Sequence, residues 1–264
     1  MIDFHNHILP GVDDGAKTME ESIEMLKLAQ AQGISDIVNT VHFQHPKMEN
    51  KNTNFDYIVS VKDSLLNQML KENIDINIHL GSEVFFNFNL LDILDNPLVT
   101  FCNGKYMLIE FQPLMFPKGY REHLYDLRMS GVIPIIAHPE RYKPIQQDIS
   151  IVEKLINQGC LIQIDAGSLL GMFGKKCKII SHEMIKRNMV HVVGSDAHNS
   201  RNRNFCLKEA LKAMEYIEGI SIDKLVNEFP QSIFSGTEII APEIIDSIDS
   251  SKSIFKRFKD TFFK

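Results

Sequence analysis

Two histidines separated by one residue, His5 and His7, lie in the run MIDFHNHILPG at the head of the chain. Alternate side chains of an extended strand share a face, so this spacing turns both imidazoles toward one point and suits them to grip a metal ion. A histidine pair alone is more often structural or incidental. Residues of the same chemistry recur, however, at the ends of successive apolar runs: His42, Glu83, Glu110, His138, and the pair Asp196 and His198. Asp14, in the turn Asp13-Asp14-Gly15, brings the candidate ligands to nine. One divalent ion takes about four to six donors, so nine point to two or three ions. Taken singly, each has an ordinary alternative as a turn former, an arginine partner or a hydrogen-bonded core histidine. Those alternatives do not explain the coincidence at six strand ends.

Two arginines stand near these candidates, Arg141 in His138-Pro139-Glu140-Arg141 and Arg203 shortly after His198, with Arg201 competing for the latter's role. A guanidinium binds phosphate oxygens bidentately and stays charged in any active site. The remaining histidines, His45, His79, His123, His182 and His191, read as surface or packing residues, although His45 is close enough in sequence to reach the cluster.

The elements that must position these groups alternate between short strand-like and longer helix-like runs, the order of repeated βα units around a parallel sheet. Seven strands are expected: Met1 to Phe4, Asp36 to Val41, Ile74 to Leu80, Tyr106 to Phe111, Val132 to Ala137, Cys160 to Asp165, and His191 to Val193. In a β/α barrel the loops after the strands build the active site, which would bring the candidates together. The first helix is the best marked, with Thr18 and Glu21 spaced as a capping box, Ile23 and Leu26 on one face, and Gly33 at its end. No internal repeat or Gly/Ser-rich linker divides the chain, so residues 1–241 read as one barrel domain followed by a tail, 242–264. Within that tail, Ile254, Phe255, Phe258 and Phe262 fall near one helical face among lysines and Arg257. The pattern fits a helix docked on an anionic membrane or a partner, a helix packed on its own barrel, or a frayed end.

Composition narrows the function. The 264 residues are 44% hydrophobic and 23% charged, which suffices for one large globular core. A formal charge of −6 provides no basic stripe for a nucleic-acid backbone, so a nuclease reading is weak and phosphate affinity must come from metals and local arginines. No basic segment leads into an apolar stretch at the N-terminus, and no long apolar run suggests a membrane span, so a cytoplasmic location is expected. The four cysteines show no CxxC spacing and read as reduced thiols. Nor are they followed, at the spacing a cysteine-nucleophile phosphatase needs, by arginine: Leu108, Ala166, Glu183 and Lys212 stand there instead. Neither a P-loop nor a G-x-G-x-x-G fingerprint is present.

The ordered motifs HNH at 5–7, DDGAK at 13–17, TVH at 40–42, GSE at 81–83, IEFQ at 109–112, AHPERY at 137–142 and GSDAHNSRNRNF at 194–205 resemble the PHP superfamily. More narrowly, they are similar to the manganese-dependent protein-tyrosine phosphatases associated with bacterial capsule and exopolysaccharide synthesis. The resemblance runs from Met1 to about Phe234 and implies a distorted, TIM-like (β/α)7 barrel around a trinuclear metal site. It assigns metal-ligand roles to His5, His7, Asp14, His42, Glu83, Glu110, His138, Asp196 and His198, and phosphate binding to Arg141 and Arg203. Mn²⁺ is the implied metal, with Fe or Zn as alternatives, and a phosphotyrosine protein, such as a bacterial tyrosine kinase, is the implied partner. One departure is Asp165, where the resembling proteins usually carry an uncharged residue; it would bind a water, pair with a lysine or point away.

The expected reaction is hydrolysis of a phosphate monoester by a metal-activated water, with no covalent phosphoenzyme. A small-molecule phosphatase of the same superfamily, acting on a substrate such as histidinol phosphate, is the nearest alternative. A non-enzymatic protein stabilised by its metals is a more distant one.

Overall fold

Seven parallel strands in sequential order form the wall of a nearly closed barrel. The computed structural model describes residues 1–48, 50–101, 104–217 and 220–245. Cys102 and the amphipathic segment Lys252–Lys264 lie outside the described residues.

The strands are β1 (Ile2–Asn6), β2 (Asp36–Phe43), β3 (Asn77–Phe85), β4 (Tyr106–Glu110), β5 (Ile133–Ile136), β6 (Leu161–Asp165) and β7 (Val192–Gly194). The helices are α1 (Met19–Ala31), α2 (Phe55–Lys71), α3 (Tyr120–Met129), α4 (Lys143–Gln147), α5 (Ser150–Asn157), α6 (Ala166–Leu170), α7 (Lys175–Lys186), α8 (Leu207–Met214) and α9 (Phe229–Ser235). A single domain with the expected seven-stranded architecture results.

Strands buried on both faces need apolar residues at odd and even positions, which is what β4 and β5 carry. Tyr106, Leu108, Ile133, Ile135, Ala137 and Leu161 pack into one cluster with Phe4, Val38 and Val192, while the intervening Met107, Ile109, Ile136 and Ile162 join the larger cluster with the helices. The smaller cluster also takes in Ile233 and Ile239, with Phe229 and Phe234 packed against it. The last described segment is pinned there by Lys105 Nζ donating to Gly236 O at 2.7 Å and Tyr106 Oη donating to Thr237 O at 2.6 Å.

Helix α1 begins as its sequence predicts. Thr18 Oγ1 accepts from Glu21 N at 3.3 Å. The Glu21 carboxylate, however, reaches one residue further back, to Lys17 N at 2.9 Å. Gly33 ends the helix at φ +82°, a left-handed conformation glycine adopts without strain.

β3 departs furthest from expectation, while β1 and β2 each run two residues past their expected ends. β3 runs from Asn77 to Phe85 rather than from Ile74 to Leu80, so Glu83 lies inside the strand. Its His-Leu-Gly-Ser-Glu core lacks the β-branched signature of a strand, whereas the more apolar Ile74 and Ile76 are buried in the connection leading to it. Gly81 is required by packing: a Cβ there would stand 2.0 Å from the Phe101 ring. The connection from β3 to β4 contains turns, and no helix, among its described residues.

Closure between β1 and β7 occurs at the upper end of the wall. His7 N donates to Ala197 O at 2.8 Å, and Asp196 N donates to His5 O at 2.7 Å. Candidate ligands therefore join the first strand to the last.

Candidate metal centre

The upper ends of the strands hold all nine candidate ligands within one cluster. β1 supplies His5 and, just past its end, His7; β2 supplies His42, β3 Glu83, and β4 Glu110. His138, Asp196 and His198 lie just beyond β5 and β7, and Asp14 comes from the turn after β1. In-register pairing sets His42 beside Glu83 and Glu110 beside Phe85.

Potential ligand atoms fall into four overlapping groups: His7, Asp14, His42 and His198; His5, His7 and Asp196; His5, Glu83 and His138; and His42, Glu83 and Glu110. Within each, the atoms lie within 4.8 Å of one another. Glu83 is central. Its Oε2 stands 3.3 Å from His5 Nε2 and 3.1 Å from His42 Nδ1, and its Oε1 2.7 Å from His138 Nε2. Asp196 Oδ1 lies 3.5 Å from His5 Nε2 and 3.3 Å from His7 Nε2. Asp14 Oδ1 lies 3.2 Å from His42 Nε2 and 3.4 Å from His198 Nε2.

Surrounding acceptors fix three imidazoles so that Nε2 faces the cluster. His7 Nδ1 donates to Asp13 Oδ2 at 2.9 Å, His5 Nδ1 to Gln163 Oε1 at 3.2 Å, and His198 Nδ1 to Asp196 O at 2.8 Å. An imidazole anchored through Nδ1–H presents the Nε2 lone pair, the form a metal ligand needs. As a result His5 Nε2 and His7 Nε2 approach to 3.2 Å, and neither needs the other as a partner.

The electrostatics show a cluster that favours added positive charge. Burial pushes Glu110 up to about 8, and the charge of Glu83 adds to the effect. Burial would also raise Glu83 and Asp196, but His5 and His42 hold Glu83 well below the usual carboxylate range, and Arg141, His198 and His5 do the same for Asp196. Burial alone would lower His7, yet Asp13 raises it well above its ordinary value. Buried His42 Nδ1, Glu110 Oε2 and Asp196 Oδ1 make no hydrogen bond. Divalent cations would satisfy these atoms and relieve the crowding of carboxylates, so the residues fit metal ions.

Backbone geometry at the ligands is unusual. His138 and Asp196 have φ of +30° and +48°, sparsely populated for such residues. Gly15 is required because a Cβ there would meet His7 O at 2.1 Å, and Ala16 N donates to that same oxygen at 3.0 Å. The turn carrying Asp14 is thereby pressed against the first strand.

Arg141 and Arg203 converge on Asp196 Oδ2, through Nη2 atoms at 2.6 and 2.7 Å. Arg203 is aimed by its loop: Asn199 Oδ1 accepts from the main-chain N of Arg201, Asn202 and Arg203, and Arg203 O accepts from His198 N at 2.7 Å. Arg201, on the outer side of that loop, is exposed. Asp165 is fully buried and pairs with Arg141, an arginine rather than the expected lysine.

His45 stands at the rim, with its Nε2 3.8 Å from Glu110 Oε2 and its ring packed on Phe85. His79, His123, His182 and His191 make packing or hydrogen-bond contacts away from the cluster. Asp13 and Gln163 escaped the sequence reading. Gln163 carried a usable signal, since it lies two residues before Asp165 and so on the same face of β6.

Residues 1–235 match the family described as capsular polysaccharide synthesis, CpsB/CapC. The chain belongs to this family. It is 39% identical to the putative tyrosine-protein phosphatase CapC of Staphylococcus aureus over 210 residues, 79% of this chain and 81% of that one. It is 37% identical to the tyrosine-protein phosphatase YwqE of Bacillus subtilis over 229 residues, 86% and 89% of the two chains. Among solved structures it superposes on one from a study of YwqE and of CpsB from Streptococcus pneumoniae, described as metal-dependent tyrosine phosphatases. The TM-score is 0.85 at 34% identity, covering 93% of this chain and 100% of that one.

Proposed function

We propose that this CpsB/CapC family member is a metal-dependent phosphatase acting on protein phosphotyrosine. One observation carries the reading: nine ligand donors converge on overlapping metal-sized groups directly beside two arginines that retain unused donors. The four groups favour two or three ions held by His5, His7, Asp14, His42, Glu83, Glu110, His138, Asp196 and His198. Mixed imidazole and carboxylate donors suit Mn²⁺, with Fe or Zn as alternatives.

When bound, the ions supply Lewis acidity, making water nucleophilic near neutral pH and drawing charge from the phosphoryl group. The chain's own residues do the rest. Nε of Arg141 and of Arg203 are buried donors without a protein acceptor, suited to phosphoryl oxygens. As the bond to the leaving oxygen breaks, these fixed charges stabilise the developing negative charge without having to reorganise. A phenolate departs without a strong acid, which suits a site in which no side chain is singled out as the leaving-group acid. The buried thiols take no part: burial pushes Cys160 and Cys206 up to about 12, far from a reactive thiolate.

The family's tie to capsule synthesis makes a tyrosine kinase of that process a natural substrate, and a cytoplasmic location follows from that assignment. No helix among the described residues is long and apolar enough to cross a membrane.

Turnover of a phosphotyrosine peptide, a phosphoserine peptide and histidinol phosphate should be compared with Mn²⁺ supplied and after chelation. The phosphotyrosine peptide is expected to give the highest kcat/KM, with activity lost on chelation and restored by Mn²⁺. Preference for histidinol phosphate would replace the protein substrate by a small molecule. Full turnover by the metal-stripped protein would remove the metal mechanism.

A further inference from the structure

Arg141 is restrained from more sides than a phosphate contact requires. Its Nη2 is shared between Asp196 Oδ2, at 2.6 Å, and the fully buried carboxylate of Asp165. Beneath the guanidinium lies Phe173, in the turn between α6 and α7, with the ring centroid 3.9 Å from Arg141 Cζ and 5.5 Å from Arg203 Cζ. Such stacking holds a guanidinium in plane while leaving its edge free for hydrogen bonds.

Asp165 is itself immobilised. Its Oδ1 caps α6 by accepting from Gly167 N at 2.5 Å, and its main-chain N donates to Glu140 Oε1 at 3.1 Å. Gly167 completes the enclosure, since a Cβ there would meet Phe173 Cε2 and Asp165 Oδ1, each at 3.1 Å. The assembly is a fitted slot: a carboxylate at the end, a ring below and a glycine whose Cβ would press on both.

We propose that Asp165 and Phe173 are positioning residues that fix Arg141 in its phosphate-binding orientation. The inference rests on the reading of Arg141 as a phosphate ligand. A free arginine side chain loses rotamer entropy when ordered. The slot imposes that order before substrate arrives, so the cost does not fall on the transition state. Anchoring through Nη2 spends one terminal nitrogen and leaves Nε, a buried donor without a protein acceptor, for a phosphoryl oxygen. Two carboxylates can share the cation without separating, because Asp165 approaches from β6 and Asp196 from beyond β7.

The test uses the full-length, Mn²⁺-loaded enzyme, with 4-nitrophenyl phosphate as substrate and inorganic phosphate as competitive inhibitor. Asp165→Asn and Phe173→Leu are each expected to lower kcat/KM and weaken phosphate inhibition by roughly 10- to 100-fold, the range of outer-shell substitutions, with metal content unchanged. Phe173→Tyr, which keeps the ring, should recover most of the loss. On an Arg141→Ala background the Asp165 and Phe173 substitutions should have little further effect, because they act through the missing side chain. Equal losses in both backgrounds would overturn the proposal, as would tighter phosphate binding by Asp165→Asn. Phe173 is only partly buried, so Phe173→Leu decides the matter even if Asp165→Asn fails to fold. Wild-type activity in Arg141→Ala alone would instead refute the phosphate-ligand reading on which the inference stands.

Discussion

Asp13 Oδ2 accepts from His7 Nδ1 at 2.9 Å and from the main-chain N of His42 at 3.2 Å, so one carboxylate oxygen orients one candidate ligand and anchors the strand end of another. Burial would raise Asp13, but the charge of His7 lowers it to about 2, and it stays ionised throughout the working range. Its other oxygen accepts from Gly15 N at 2.9 Å, tying the Asp14 turn to the same point. Asp13→Asn should therefore leave the barrel folded while weakening metal affinity by roughly 10- to 100-fold, the usual range for such a carboxylate–histidine pair. Metal titration of the purified variant checks this; unchanged affinity would reduce Asp13 to a turn former.

Arg141→Ala and Arg203→Ala should each retain bound metal and lose roughly 10²-fold or more in turnover, as expected for preorganised charge opposite a transition state. Arg201→Ala should be near wild type, since the Asn199-capped loop sends Arg203 inward and leaves Arg201 in solvent. Steady-state kinetics with metal analysis on all three variants separates these cases. A damaging Arg201→Ala beside a neutral Arg203→Ala would reverse the assignment.

The sequence makes the architecture and the ligand types legible for one reason. Strand ends in a β/α barrel share a location, and ligand residue types stand out at the ends of apolar runs. What stayed hidden depends on contacts between distant segments. The end of β3 was obscured because Gly81, Ser82 and Glu83 carry no strand propensity and are held by pairing with β2 and by the Phe101 ring. Asp165 stood out as a charge in an apolar strand, but its partner sits on the turn after β5. Phe173 gave no local signal; only the folded chain brings it beneath Arg141.

Gly194→Ala tests how closure of the wall governs the site. A Cβ at Gly194 would stand 2.4 Å from His5 Cβ and 2.7 Å from His5 N, so β7 would have to retreat from β1. That retreat strains the bonds from Asp196 N to His5 O and from His7 N to Ala197 O, which also set the spacing of three candidate ligands. A loss of about 1–3 kcal/mol in stability is expected from overpacking of this kind, together with weaker metal binding. Thermal melts with and without Mn²⁺ should show a lower Tm and a smaller metal-induced rise than in the wild type. An unchanged metal-induced rise would separate strand closure from ligand geometry.

His191 offers a stability switch remote from the metal cluster. Burial pushes it down from 6.5 to about 4, and its Nδ1 accepts from Ile162 N at 3.1 Å, a bond that protonation would break. Below 6.5 the unfolded chain takes up a proton that the folded one refuses until about 4, so the unfolded state is favoured progressively as pH falls through that interval. This contribution is intact above 6.5 and declines toward 4. His191→Asn keeps an acceptor near the Nδ1 position and removes the titration. The variant should be less stable than wild type at pH 7, because a buried ring is lost, yet the gap should narrow by about 2 kcal/mol at pH 5, an order-of-magnitude figure from the linkage relation. Metal release at acid pH affects both proteins alike and cancels in the difference. Urea unfolding of both proteins at the two pH values measures that gap, and a difference independent of pH would show that His191 does not titrate with folding.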